Sequence, residues 1–236
     1  DTFYKSRREN GVIVTMACNE PEETCFCGAF GIDAANPQGG DVTTWLVGED
    51  LYWKAETAKG EELTKTLATV LESAESSDEA KVETAKAAIA EILAKLPLKD
   101  LDLSYFSGEN LTTKLNDVFY AEQWKELYKA CLGCGTCTFV CPTCQCFDIR
   151  DIKTSEGVLR YRCWDSCMYS DFTLMAHGNS RNTQMQRFRQ RFMHKLVYYP
   201  SQNDGMYSCV GCGRCVNKCP QNLNIVKVIK TLGGKN

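Results

Sequence analysis

The sequence predicts an α+β chain, mostly α, with a small β-containing amino-terminal segment, a helical hairpin and a cysteine-rich carboxy-terminal half. Three observations carry this. Val42–Val47 and residues 51–56 are short runs rich in β-branched and aromatic side chains, separated by Gly48-Glu49-Asp50 as in a hairpin. Residues 60–98 switch to apolar side chains at helical spacing. Fifteen cysteines then fall into three groups, and the stretch 28–130 between the first two groups has none.

Each element has its own local cause. Val12-Ile13-Val14 reads as a third strand. Residues 61–72 place Leu63, Leu67, Val70 and Leu71 on one helical face. Ser76-Ser77-Asp78-Glu79 offers an N-cap with an acidic residue three positions on, the capping-box pattern. The helix it starts runs through Val82, Ala85, Ile89, Ile92 and Leu93 until Pro97 stops it. These two helices are expected to pair as an antiparallel hairpin with solvated Lys/Glu faces. A helix over 116–130 presents Tyr120, Trp124, Leu127 and Tyr128 as core. A basic amphipathic helix over 181–196 turns Met185, Phe188, Phe192 and Leu196 inward, and its arginines and Lys195 read first as a solvated face. A short helix over 223–232 closes the chain. The expected divisions are residues 1–59, 60–115 and 116–236.

Composition removes several function classes. The 236 residues carry 27 basic and 30 acidic side chains, and a net charge of −3 is too balanced for a nucleic-acid binder. No apolar run approaches the roughly 18 residues that a membrane span needs. No signal peptide is visible, and the chain opens at Asp1 inside structured sequence, so a preceding piece is expected. A disulfide-stapled secreted domain would be smaller and poorer in core. The odd cysteine count therefore points to reduced thiolates holding metal in a reducing, anaerobic cytoplasm.

Cys131-x2-Cys134-x2-Cys137-x3-Cys141-Pro142 recurs as Cys209-x2-Cys212-x2-Cys215-x3-Cys219-Pro220. This is the spacing of bacterial two-cluster proteins, where the fourth cysteine of each run ligates the other cluster. Three cysteines at x2 spacing let a tight loop wrap three corners of a [4Fe–4S] cubane. Gly133, Gly135, Gly211 and Gly213 let the backbone approach the sulfurs, and the proline turns the chain away after the fourth ligand. One cluster is therefore expected on Cys131, Cys134, Cys137 and Cys219, and a second on Cys209, Cys212, Cys215 and Cys141. Structural zinc explains a lone CxxC but not two complete runs of this kind.

The motifs are widely separated and the segment between them reads as helical. In this the carboxy-terminal half resembles the α-helical ferredoxin domain of iron–sulfur subunits in succinate dehydrogenase and heterodisulfide reductase. A narrower resemblance rests on Phe3-Tyr4-Lys5-Ser6-Arg7-Arg8-Glu9, Thr24-Cys25-Phe26-Cys27-Gly28, Cys141-Pro142-Thr143-Cys144-Gln145-Cys146-Phe147-Asp148, Trp164-Asp165-Ser166-Cys167 and residues 187–195. Together these resemble the iron–sulfur (beta) subunit of cytoplasmic sulfhydrogenase-type NiFe hydrogenases, a pattern shared with the anaerobic sulfite reductase A subunit. The likeness spans most of the chain and is weakest over 60–98. It implies an electron-transfer subunit working between a flavin/NAD(P)-binding subunit and a catalytic or ferredoxin-interacting partner. Cys163 departs from that pattern and is given no role.

Cys18, Cys25, Cys27, Cys144, Cys146 and Cys167 remain. A free cysteine is ordinarily a small buried hydrophobe. Two Cys-x-Cys pairs among the six favour a third metal site instead, joining the amino-terminal segment to the ferredoxin domain, with iron–sulfur ahead of zinc. His177 and His194, the two histidines, read as core or surface residues, and no GxGxxG, P-loop or GxSxG is present. The expected function is electron relay within an anaerobic oxidoreductase complex. The alternative is catalysis at an incompletely ligated third cluster. For residues 187–195 the alternatives to a solvated face are a docking surface, or positive charge that raises a nearby cluster's potential.

Overall fold

The hairpin forms where the β-branched run predicts it. Val42–Val47 (β2) pairs antiparallel with Asp50–Ala55 (β3), Val47 opposite Asp50, leaving Gly48-Glu49 as a two-residue turn. Gly48 has φ +66°, the left-handed first position of a II′ turn. In this computed structural model, which describes residues 2–107 and 111–234 (the side chains of 111–114 apart), the chain divides into two units, Asp1–Lys99 and Asp100–Asn236. Residues 60–99 fall within the first of these units.

In the first unit, helix α1 (Thr2–Asn10) precedes β1 (Val14–Met16), which pairs in parallel with β2. The third strand is therefore real but begins two residues later than its β-branched run. Helix α2 spans Ala58–Thr66 and stops well short of residue 72, leaving Val70 73% exposed. Helix α3 spans Ser76–Leu93, and its capping box uses Glu75 with Asp78, one residue before the serine pair. Rather than forming a separate hairpin, the two helices make their main contacts with the sheet, α2 beside β3 and α3 beside β2. Ala17, Trp45 and Val82 form the buried cluster between sheet and helix. Asp41 ties the corner together: its carboxylate accepts from Ile13 N (2.9 Å), Thr57 Oγ1 (2.9 Å) and Arg8 Nη1 (3.2 Å).

Residues 17–41 cross between the parallel strands β1 and β2 with a single 3-10 turn, Cys27–Phe30. Loops of this length without regular structure are uncommon and usually functional. This one is held by Trp45 Nε1 donating to Ala35 O (2.9 Å) and by buried Phe26.

In the second unit, α4 (Leu111–Phe119) and α5 (Trp124–Leu127) replace the continuous helix expected over 116–130, and Tyr120 between them is exposed. After α6 (Thr136–Phe139) the intervening segment is not all helical. It carries a two-stranded hairpin, β4 (Phe147–Thr154) with β5 (Gly157–Trp164), and a small pair, β6 (Leu174–Met175) with β7 (Gly178–Asn179). Helix α7 (Gln184–Met193) runs on through a π-turn, His194–Tyr198, into α8 (Tyr199–Gln202). Helices α9 (Arg214–Asn217) and α10 (Ile225–Leu232) complete the unit. Among the described residues, no helix is long and apolar enough to cross a membrane.

The core of this unit is aromatic. Trp124 packs on Phe188 and Phe192 with ring centroids 6.1 and 6.4 Å away, and its Nε1 donates to Val118 O at 2.6 Å. Phe188→Ala is expected to cost about 3–5 kcal/mol, the usual range for a buried phenylalanine, read as a lower thermal midpoint of the metal-loaded chain.

Candidate metal centre

The first motif folds as a loop leading into α6. Gly133 (φ +69°) and Gly135 (φ +74°) take left-handed conformations that L side chains rarely adopt. A Cβ on Gly135 would also lie 2.8 Å from the hydroxyl of Tyr169, which donates to Cys134 O. The second motif repeats the geometry, with Gly211 at φ +60° and Gly213 at φ +70°. Both loops therefore need glycine between their cysteines for backbone reasons alone.

Cys131, Cys134 and Cys137 line one partly open cavity, and the fourth cysteine on its wall is Cys219 from the second motif. Leu132, Met168, Phe188, Phe192 and Leu223 give it an apolar lining, and Arg191 reaches it as well. Backbone N–H groups point at two of the sulfurs: Gly133 N to Cys131 Sγ (3.4 Å) and Leu223 N to Cys219 Sγ (3.2 Å). Burial pushes the Cys137 thiol up, against the lowering pull of Arg191.

Of the other four motif cysteines, Cys141 and Cys209 lie near Lys195. Burial pushes Cys209 up to about 11, with Lys195 opposing and Cys215 and Cys141 adding to the rise. Cys141 shares a hydrogen bond with Cys144, which drives Cys141 down as the thiolate and Cys144 up as the donor, and Lys195 favours the thiolate. Lys195 Nζ donates to Thr143 Oγ1 (2.9 Å) and Ser208 O (2.7 Å). Cys212 lies on the loop between Gly211 and Gly213 and is half-buried.

Of the six remaining candidates, Cys18, Cys25 and Cys27 are near enough within the first unit to act on one another electrostatically. In the second unit Cys146 and Cys167 share a thiol hydrogen bond, with Cys144 close by, while Cys144 itself bonds to Cys141. Cys163 sits on β5 opposite Asp148, and His177 and His194 are both exposed. Among the described residues, no three His, Cys, Asp or Glu side chains lie close enough to hold a single metal ion. A tetrahedral zinc site with 2.3 Å bonds needs its sulfurs about 3.8 Å apart. Thiols spread round a cavity wall suit the wider corners of a cluster.

The solvated-face reading of the basic helix fails at two positions. Arg191 and Lys195 are only 2% and 3% exposed. Arg191 Nη2 donates to Cys137 O (2.7 Å), while its Nε and Nη1 are buried without a partner. A buried guanidinium left in that state is strongly unfavourable unless negative charge stands against it. Four thiolates round a cluster supply that charge, so the residues present fit the group.

The paired motifs and the cavity they share define an iron–sulfur protein. The family model of the 4Fe–4S dicluster domain matches residues 130–223. Sulfhydrogenase 2 subunit beta of Pyrococcus furiosus is 35% identical over 234 residues, covering 97% of this chain and 65% of that protein. The chain is similar to this beta subunit along nearly all of its own length, and spans just under two thirds of the relative. No solved structure matches the chain.

Proposed function

We propose that the chain is an electron-transfer iron–sulfur subunit of a multisubunit anaerobic oxidoreductase in a reducing cytoplasm. It relays electrons between a flavin/NAD(P)-linked subunit and a catalytic or ferredoxin-interacting partner. The observation that carries the reading is the cavity lined by Cys131, Cys134, Cys137 and Cys219, drawn from both motifs. Cys209, Cys212, Cys215 and Cys141 form the second ligand set in this reading. Bound, two [4Fe–4S] clusters would take up and release single electrons. The chain's own residues would hold them; Phe188, Phe192 and Leu223 would shield the first, and Gly133 and Leu223 offer N–H groups to its sulfurs. Each set already contains four thiols, which leaves no open position for a substrate and favours a conduit over a catalyst.

A third metal centre that includes Cys18, Cys25 and Cys27 of the amino-terminal unit among its ligands belongs to the same proposal. Its support is the mutual proximity of these thiols on the long 17–41 crossover.

Anaerobic purification tests the core of the reading. The chain is expected to carry at least about eight iron and eight acid-labile sulfide, and to co-purify with a flavoprotein. Stoichiometric zinc without sulfide would overturn it.

A further inference from the structure

Two cations are buried on one face of the helix that separates the motifs, at positions four residues apart. Lys195 is satisfied by Thr143 Oγ1 and Ser208 O. Arg191 is not, because only Nη2 finds a protein acceptor, the carbonyl of Cys137. Arginine cannot shed its proton to escape burial. Its guanidinium reaches the cavity of the first cysteine set, and the groups acting on it are Cys137 of the first motif, Cys215 of the second, then Cys144 and Cys141. Lys195 acts on Cys141, Cys144, Cys146 and Cys209, on the side of the second set.

Resting on the two-cluster reading above, we propose that Arg191 is the countercharge shared by both clusters, whereas Lys195 serves the second alone. A fixed positive charge favours the more negative, reduced state of a cluster, so it raises the reduction potential. Arg191 then sets the level of both potentials, and Lys195 sets the offset between them. Lifting both clusters with one charge raises their potentials together and leaves the difference between them unchanged. The extra charge at Lys195 makes the second cluster the better acceptor.

The test is an EPR-monitored redox titration of the anaerobically purified full chain, with dithionite as reductant and one electron entering each cluster. Arg191→Gln keeps a donor for Cys137 O but removes the charge. It is expected to lower the reduced-to-oxidised ratio of both clusters about tenfold at a fixed potential, a 59 mV shift for a one-electron couple. Lys195→Gln is expected to shift the second cluster by a similar factor and leave the first in place. Arg191→Lys, keeping the charge, should hold both potentials near wild type. Unmoved potentials in an Arg191→Gln chain with full iron content would overturn the inference, as would equal shifts of both clusters in Lys195→Gln. If Arg191→Gln fails to take up iron, the Lys195→Gln and Arg191→Lys titrations still decide, by the same outcomes. A wild-type chain without iron would sink the two-cluster reading itself. A loaded wild type whose glutamine variants do not shift would sink only the roles of Arg191 and Lys195.

Discussion

Replacing Cys219 with serine is expected to remove the cluster held by the first motif, although Cys219 belongs to the second. Cys141→Ser is expected to do the reverse. The proline after each fourth cysteine carries the chain out of its own loop, so that thiol must serve the other cluster. Cys219 accordingly faces the cavity of Cys131, Cys134 and Cys137, where Leu223 N bonds to its sulfur at 3.2 Å. Cys141 lies instead beside Cys209 and Lys195. Each single variant should lose about four iron and one EPR signal while keeping the other. Loss of the same-motif cluster in both variants would refute the crossed arrangement.

The second large effect is expected from the double substitution Cys25→Ser/Cys27→Ser. Two thiolates one residue apart can grip adjacent corners of one metal centre, and Cys18 stands close to both. The middle of the 17–41 crossover is held by the Trp45–Ala35 hydrogen bond, Cys18 N to Ala34 O (2.8 Å) and buried Phe26, among other contacts. Metal binding by such a segment contributes folding free energy directly. The double variant should therefore lose about four iron, and its amino-terminal unit should become protease-sensitive at lower temperature. Retention of the full wild-type iron and zinc would mean that the thiols are packing, as the burial of Cys27 by itself would allow.

Much of this was legible in local sequence, because its causes are local. Cysteine spacing, the glycines between the cysteines and the Cys-Pro turns specify two loops that wrap metal, whatever surrounds them. The hairpin at 42–55 follows from β-branched runs flanking a Gly-Glu turn, and the terminal helix from the apolar face of residues 225–232. Boundaries were less legible. α2 ends at Thr66 although its apolar spacing continues, because Val70 finds nothing to pack against. The segment between the motifs hides a hairpin, since Ile149, Ile152, Val158 and Leu159 are exposed and alternate with charge rather than marking a buried face.

What the sequence determined by itself is the two metal-wrapping loops and the α+β character of the chain. Which side chains meet was decided by tertiary structure alone. Helical spacing sets Arg191 and Lys195 beside the inward Phe188 and Phe192, but that spacing alone does not say that a cation there is buried. The two cations are buried because residues in and beside both cysteine motifs pack over that face, Cys137 O against Arg191 and Thr143 and Ser208 against Lys195. A basic side chain tolerates such a position where thiolate charge gathers to meet it, and that charge is assembled from residues far apart in the chain.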